Sequence, residues 1–160
     1  MRLSWPGSPA LSWFFCGFLA GIFYLGASAA PGEPAARSSD DAIIAVLHAQ
    51  EEAWNRGDIE AFMNGYLRSD ETVFVSGDQL TRGWKTVHDR YQNKYSDRAK
   101  MGILIFSDLE ITTLSNDAAL ASGRWQLKRA DDNPHGRFTL IFRNTPDGWR
   151  IVHDHTSEAR

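Results

Sequence analysis

The run Asp147-Gly-Trp-Arg-Ile-Val-His-Asp-His-Thr-Ser157 carries the most specific fold signal in the sequence. Its first two residues, Asp147 and Gly148, are typical of a turn, and the aromatic and β-branched residues after them predict a strand over Trp149–Ser157. Strict alternation along that strand puts Trp149, Ile151, His153 and His155 on one face, and Arg150, Val152, Asp154 and Thr156 on the other. Two histidines spaced in this way lie roughly 7 Å apart, so both are expected to reach one ligand.

Three further strands are predicted before this one, over residues 102–114, 118–129 and 137–144. Short segments rich in turn formers separate them, and consecutive strands with short links pair antiparallel. In the third of these runs Phe138, Leu140 and Phe142 share a face, and Ile141 lies on the opposite face among polar residues. Residual apolar character on the outer face of the sheet favours a homodimer packed sheet to sheet.

Three helices are predicted ahead of the long strands. Ser39 or Asp40 is expected to cap the first helix, which ends near Gly57, Asp58 caps the second, and the third begins after Gly83. Their inward residues recur at steps of three and four, and a short strand is expected over Thr72–Val75. The predicted fold is therefore α+β, with the helices covering one face of a curved sheet.

The first thirty residues differ in composition from the rest of the chain. They contain one charged side chain, Arg2, and an apolar run over Phe14–Leu25 that small residues follow. This order predicts a cleaved signal peptide over 1–30, hence an exported protein, periplasmic or extracellular, with no stable membrane span after cleavage. An uncleaved anchor is the alternative, because the apolar segment approaches the length that spans a bilayer. Residues 31–38 are expected to form a linker, and 39–160 a single domain.

Composition argues against several kinds of partner and site. The chain carries 17 Lys and Arg against 20 Asp and Glu, and this negative balance argues against nucleic acid as a partner. Its one cysteine, Cys16, lies in the predicted signal, so no disulfide or thiolate ligand is expected in the mature domain. His153 and His155 suit zinc, but sequence spacing ties no third ligand to them, and neither a metal nor a cofactor is predicted.

The last predicted strand, Trp149–Ser157, is called the closing strand, and its sequence also resembles that of a known family. Residues 147–157 look like the last strand of the nuclear transport factor 2-like superfamily, especially its SnoaL-like proteins and the association domain of calcium/calmodulin-dependent protein kinase II. Ala53-Trp-Asn-Arg-Gly-Asp58 and Arg82-Gly-Trp84 resemble the junction of the first two helices and the start of the third helix in those proteins. The resemblance covers about residues 40–158. It implies a cone, a strongly curved, cystatin-like sheet wrapped over three helices, with a pocket in its mouth and usually as a homodimer.

Candidate site residues follow from placing these elements in such a cone. A catalytic pocket needs a carboxylate to take a proton from carbon and a neutral donor to steady the enolate. Asp70 is predicted as the carboxylate, and His153 or His155 as base or donor. The residues expected to form the walls are aromatic: Trp54, Tyr66, Trp84, Tyr91 and Trp125. The alternatives are core packing for the aromatic residues and hydrogen bonds to neighbouring backbone for the histidines.

Three functions remain open from the sequence. The first is an exported homodimer that binds a small, mostly apolar molecule in the cone, with the two histidines as its polar contacts. The second is a cofactor-free pocket enzyme, an isomerase, dehydratase or hydrolase, and the third is an oligomerisation module without a ligand. Arg124, Arg137 and Arg143 would bind an anionic ligand if they pointed into the cone, and would otherwise be solvated or pair across the dimer.

Overall fold

The computed structural model describes residues 38–159, and these residues form the predicted α+β architecture. The elements are α1 Ser39–Asn55, α2 Ile59–Met63, β1 Val73–Ser76, β2 Gln79–Arg82, α3 Trp84–Lys94, α4 Arg98–Met101, β3 Ile103–Ser115, β4 Ala118–Lys128, β5 His135–Thr145 and β6 Gly148–Glu158. The short elements β2 and α4 were not predicted, and the predicted strands are confirmed to within one or two residues. The predicted signal peptide, and the linker up to residue 37, lie outside the described residues.

Local side-chain chemistry sets where the helices begin. The Ser38 hydroxyl accepts a hydrogen bond from the Asp41 amide at 3.1 Å, so the cap of α1 lies one residue before the predicted position. The predicted cap of α2 is confirmed, because the Asp58 carboxylate accepts from the Ala61 amide at 2.8 Å. Gly83 precedes α3 with a φ of 86°, a conformation that glycine adopts without strain.

A single six-stranded sheet runs in the order β2-β1-β6-β5-β4-β3. All neighbours pair antiparallel except β1 and β6, which pair parallel. The closing strand β6 therefore lies inside the sheet, between β1 and β5, where both of its edges are hydrogen-bonded. The sheet is curved and does not close on itself, and the helices pack against its concave face.

The core lies between the helices and that concave face. Buried residues on the sheet follow the predicted alternation in β4 and β5: Ala119, Ala121, Leu127, Phe138, Leu140 and Phe142. Ile43 and Leu47 of α1 are fully buried against them. On the outer face, Ile141 is 37% exposed. Among residues 38–159, no helix combines the length and the apolar character that crossing a membrane requires.

Candidate functional site

A cavity of about 100 Å³ lies between the helices and the concave face of the sheet. Its aromatic lining residues are Trp54, Phe62, Tyr66, Phe74, Tyr91, Tyr95, Phe106, Trp125 and Phe138. Its polar lining residues are Gln50, Ser76, Arg90, Lys94, Asp154, Thr156, Ser157 and Glu158, and the exposed ones mark its mouth. A concave, mostly apolar site with few polar groups is typical of small-molecule binding.

The aromatic wall is held together by contacts between rings from different elements. Trp54 of α1 meets Phe62 and Tyr95 edge to face, with ring centroids 5.2 and 4.6 Å apart. Its indole nitrogen donates to the Met101 carbonyl at 3.2 Å, which fixes the orientation of the ring. Tyr91 of α3 lies 5.6 Å from Phe74 of β1 and so links the helix to the sheet. The wall is preformed, which reduces the ordering cost of binding a ligand.

One buried carboxyl group lies in this aromatic lining. Asp154 of β6 is 5% exposed, and its Oδ2 accepts a hydrogen bond from the Tyr66 hydroxyl at 2.6 Å. The Tyr66 hydroxyl lies 3.4 Å from that of Tyr91, so the three side chains form a continuous polar row. Among residues 38–159, Oδ1 of Asp154 has no hydrogen-bond partner. A buried polar atom without a partner is costly and rare in native proteins, and a catalytic role is one of the explanations for such an atom.

The surroundings change the proton affinity of all three groups. Burial raises the pKa of Asp154 from 3.8 to about 7, although the hydrogen bond from Tyr66 opposes the shift. Burial, and after it the charge of Asp154, raise the pKa values of Tyr66 and Tyr91 well above 10. Near neutral pH the tyrosines are therefore uncharged donors, and Asp154 exchanges between its acid and base forms.

A β-bulge brings Asp154 to the cavity. On β5, Phe142 pairs with Ile151 and the preceding Ile141 pairs with His153, so Val152 is left without a partner. One extra residue reverses the alternation beyond it. Asp154 therefore lies opposite the buried Leu140 and on the same side of the sheet as Ile151.

The bulge also corrects the predicted position of the two histidines. His153 pairs with Ile141 and His155 with Thr139, both on the outer face, and neither histidine lines the cavity. The prediction that they share a face with Trp149 and Ile151 is wrong, because it assumed unbroken alternation. That Asp154 points opposite to the histidines is confirmed, but the carboxylate is the one that points inward.

Asp70 does not lie beside the cavity either. It is exposed in the loop after α2 and does not line the pocket. Its backbone packs near Gly83, at the start of α3. The structure therefore separates the three residues predicted as catalytic, Asp70, His153 and His155, from the aromatic cavity.

Four of the five predicted wall residues line the cavity: Trp54, Tyr66, Tyr91 and Trp125. The fifth, Trp84, does not; it lies at the first residue of α3 and is half-buried against the core. Its indole nitrogen donates to the Met63 carbonyl at 3.1 Å, and its ring stacks on His88 at 5.1 Å. The Arg68 guanidinium covers the ring at 4.1 Å.

The basic residues of the cavity differ from those considered in the sequence. Arg124, Arg137 and Arg143 are exposed on β4 and β5 and do not line it. Arg90 and Lys94 do, and each comes one residue before a lining tyrosine, Tyr91 in α3 and Tyr95 at the C-cap of that helix. Helical spacing next to an inward aromatic stripe is a signal that would have identified them. No comparable local signal identifies Asp154, since its position depends on the bulge.

Among residues 38–159, no three or more His, Cys, Asp or Glu side chains come together in a way that would hold a metal ion. What the cavity offers is proton transfer by a carboxyl group, hydrogen bonding by tyrosine and an apolar wall.

The family model of the SnoaL-like domain matches residues 43–160. The chain belongs to the SnoaL-like family. This family is part of the nuclear transport factor 2-like superfamily that the closing strand resembles, and solved structures agree. No curated protein matches the chain significantly.

Solved structures place this SnoaL-like domain among cystatin-like folds. A nuclear transport factor 2-like protein of unknown function from Shewanella oneidensis is 41% identical over 75% of this chain and 99% of its own, with a TM-score of 0.72. A domain of unknown function with a cystatin-like fold from Nostoc punctiforme is 17% identical over 78% of this chain and 80% of its own, with a TM-score of 0.65. A ketosteroid isomerase-like protein from Erwinia carotovora atroseptica is 20% identical over 75% of this chain and 95% of its own, with a TM-score of 0.60.

Proposed function

We propose that this SnoaL-like protein binds a small, mostly apolar molecule in its cone and carries out cofactor-free acid–base chemistry on it through Asp154. The observation that carries the proposal is a carboxyl group with a pKa of about 7 in an aromatic cavity, hydrogen-bonded to Tyr66. A general base is most effective when its pKa lies near the working pH. The open cavity favours this function over an oligomerisation module without a ligand.

The expected reaction class is proton transfer between two carbons of one molecule, as in an isomerase. The Asp154 carboxylate removes a proton from the carbon beside a carbonyl group and returns it to another carbon of the same molecule. The enolate formed in between needs a neutral hydrogen-bond donor, and Tyr91 supplies a hydroxyl in the cavity lining. Tyr66 orients Asp154 through the 2.6 Å hydrogen bond. The reaction needs no oxidant or reductant, because a proton only moves from one carbon to another.

Isomerisation of 3-cyclohexenone to its conjugated isomer tests this chemistry, because the product is followed by ultraviolet absorbance. We expect kcat/KM to rise with pH around a midpoint of about 7, as Asp154 loses its proton. Asp154→Asn should lower the rate at least ~100-fold, since the amide cannot act as a base. Asp70→Asn and His155→Gln test the sequence-based prediction in the same assay.

Two results would count against the proposed chemistry. Full activity in Asp154→Asn would exclude this carboxyl group as the base. If Asp70→Asn or His155→Gln lost activity while Asp154→Asn kept it, the residues predicted from the sequence would be the catalytic ones. If ligands bind in the cone but none of a panel of enolisable ketones is converted, the protein is a binding protein, which is the second candidate function.

We also propose that the protein is exported without residues 1–30 and works as a homodimer. The composition of those residues supports export. The partly exposed Ile141 on the outer face of the sheet, with Leu120 opposite it on β4, supports a sheet-to-sheet dimer. Native mass spectrometry of the protein from cells expressing the full chain tests both, with an expected mass of two chains that each lack the first thirty residues. A monomer contradicts the dimer, and an intact N-terminus contradicts cleavage.

A further inference from the structure

The mouth of the cavity carries positive charge on one side. Arg90 and Lys94 lie one helical turn apart on α3 and both belong to the cavity lining. Neither forms an ion pair within residues 38–159. Glu158, exposed at the end of β6, is the acidic residue at this end of the lining, so the two cations outnumber it.

The guanidinium of Arg90 is held in place but keeps free donors. Its Nη1 donates to Gln79 Oε1 and, at 3.4 Å, to Thr81 Oγ1 of β2. Its carbon lies 5.1 Å from the centre of the Phe74 ring, which is itself part of the aromatic wall. Nε and Nη2 have no acceptor among residues 38–159. Two neighbouring N–H groups in one plane match the two oxygens of a carboxylate.

We infer that the ligand is an aryl or alicyclic carboxylic acid, with its ring against the aromatic wall and its carboxylate on the free edge of Arg90 at the mouth. This inference rests on the proposed function, because it names the ligand class of the same cavity. The volume of about 100 Å³ allows at most a single ring, since an apolar cavity of roughly 150 Å³ holds one benzene, and part of the ring would lie in the open mouth. Lys94 adds charge without a fixed geometry.

A matched pair of probes tests the inference by calorimetric titration at pH 6, where Asp154 is mostly protonated and does not repel an anion. The probes are 3-phenylpropionate and its neutral amide, 3-phenylpropionamide, which have nearly the same shape. We expect the acid to bind wild type about tenfold more tightly than the amide. Arg90→Gln should remove that preference and change amide binding less than about twofold. Arg90→Lys should keep part of the preference for the acid, because the positive charge remains while the two neighbouring N–H groups of the guanidinium are lost.

The control is Lys85→Gln, the same change of charge on the same helix at a residue that does not line the cavity and pairs with Asp89. It should leave the affinity for both probes unchanged. Equal binding of acid and amide to wild type would overturn the carboxylate site and leave the proposed pocket intact. Equal weakening of both probes by Arg90→Gln would also overturn it, since Arg90 would then only support Phe74. If neither probe binds, the binding function itself is contradicted.

Discussion

Replacing Asp154 by asparagine is expected to remove about 4 kcal/mol of pH dependence from the free energy of unfolding between pH 4 and pH 8. In the folded protein burial raises the pKa of Asp154 to about 7, and in the unfolded chain it returns to its ordinary value near 3.8. Between these values the folded state holds a proton that the unfolded state has lost. The stabilisation is therefore complete below the unfolded pKa and is lost as pH rises through the folded pKa.

Asparagine keeps the shape of the side chain and an oxygen that accepts from Tyr66, but it does not titrate. Any fixed cost of burying its amide group is the same at every pH, so the slope and not the absolute stability is the measured quantity. Urea unfolding of both proteins across this range gives that slope. Wild type should lose stability towards pH 8 relative to Asp154→Asn.

Asp117→Asn is the control for the slope. Asp117 is exposed in the turn between β3 and β4, where a hydrogen bond from Ser115 and the charge of Arg143 lower its pKa. Its contribution is present above the unfolded pKa and is lost only in more acidic solution. Between pH 5 and pH 8, the free energy of unfolding of Asp117→Asn should therefore change with pH as that of wild type does. If the free energy of unfolding of Asp154→Asn also follows that of wild type, then Asp154 has an ordinary pKa and the proposed chemistry loses its basis.

Trp54→Ala is expected to cost about 4 kcal/mol, because the ring is 2% exposed and its loss opens a hole in the aromatic wall. The variant also loses the hydrogen bond to the Met101 carbonyl, which leaves that acceptor without its indole partner. Chemical denaturation measures the difference directly. The enlarged cavity should also bind the phenylpropionate probe less tightly, since one wall of the site is missing.

Trp84→Ala is the matched control. Its indole also donates to a methionine carbonyl, that of Met63, at 3.1 Å, so the two variants lose the same kind of hydrogen bond. They differ in burial, since Trp84 is only half-buried and lies outside the cavity. We expect Trp84→Ala to cost less than half as much as Trp54→Ala and to leave probe binding unchanged. Equal costs would show that the hydrogen bonds, and not burial in the wall, dominate.

Much of the fold was predictable because its signals are local. Turn-forming residues separate the long strands. Asp58 marks the start of α2 because its side chain caps the helix, and Gly83 marks the start of α3 because glycine adopts a positive φ without strain. Periodicity placed Trp54, Tyr66 and Tyr91 on inward faces, and all three line the cavity. The short strand β2 was not predicted, since Gln79-Leu-Thr-Arg82 lacks the run of β-branched and aromatic residues that marks β1.

Signals between neighbours along the chain were enough to predict the α+β class, the antiparallel pairing of the long strands and most of the aromatic residues that line the pocket. Which side chains of β6 after Ile151 point inward became clear only from the folded protein. That choice is made by the pairing of β6 with β5, where the unpaired Val152 reverses the alternation. After the bulge each side chain faces the side opposite to the predicted one, and so Asp154, not His153 or His155, lies in the cavity.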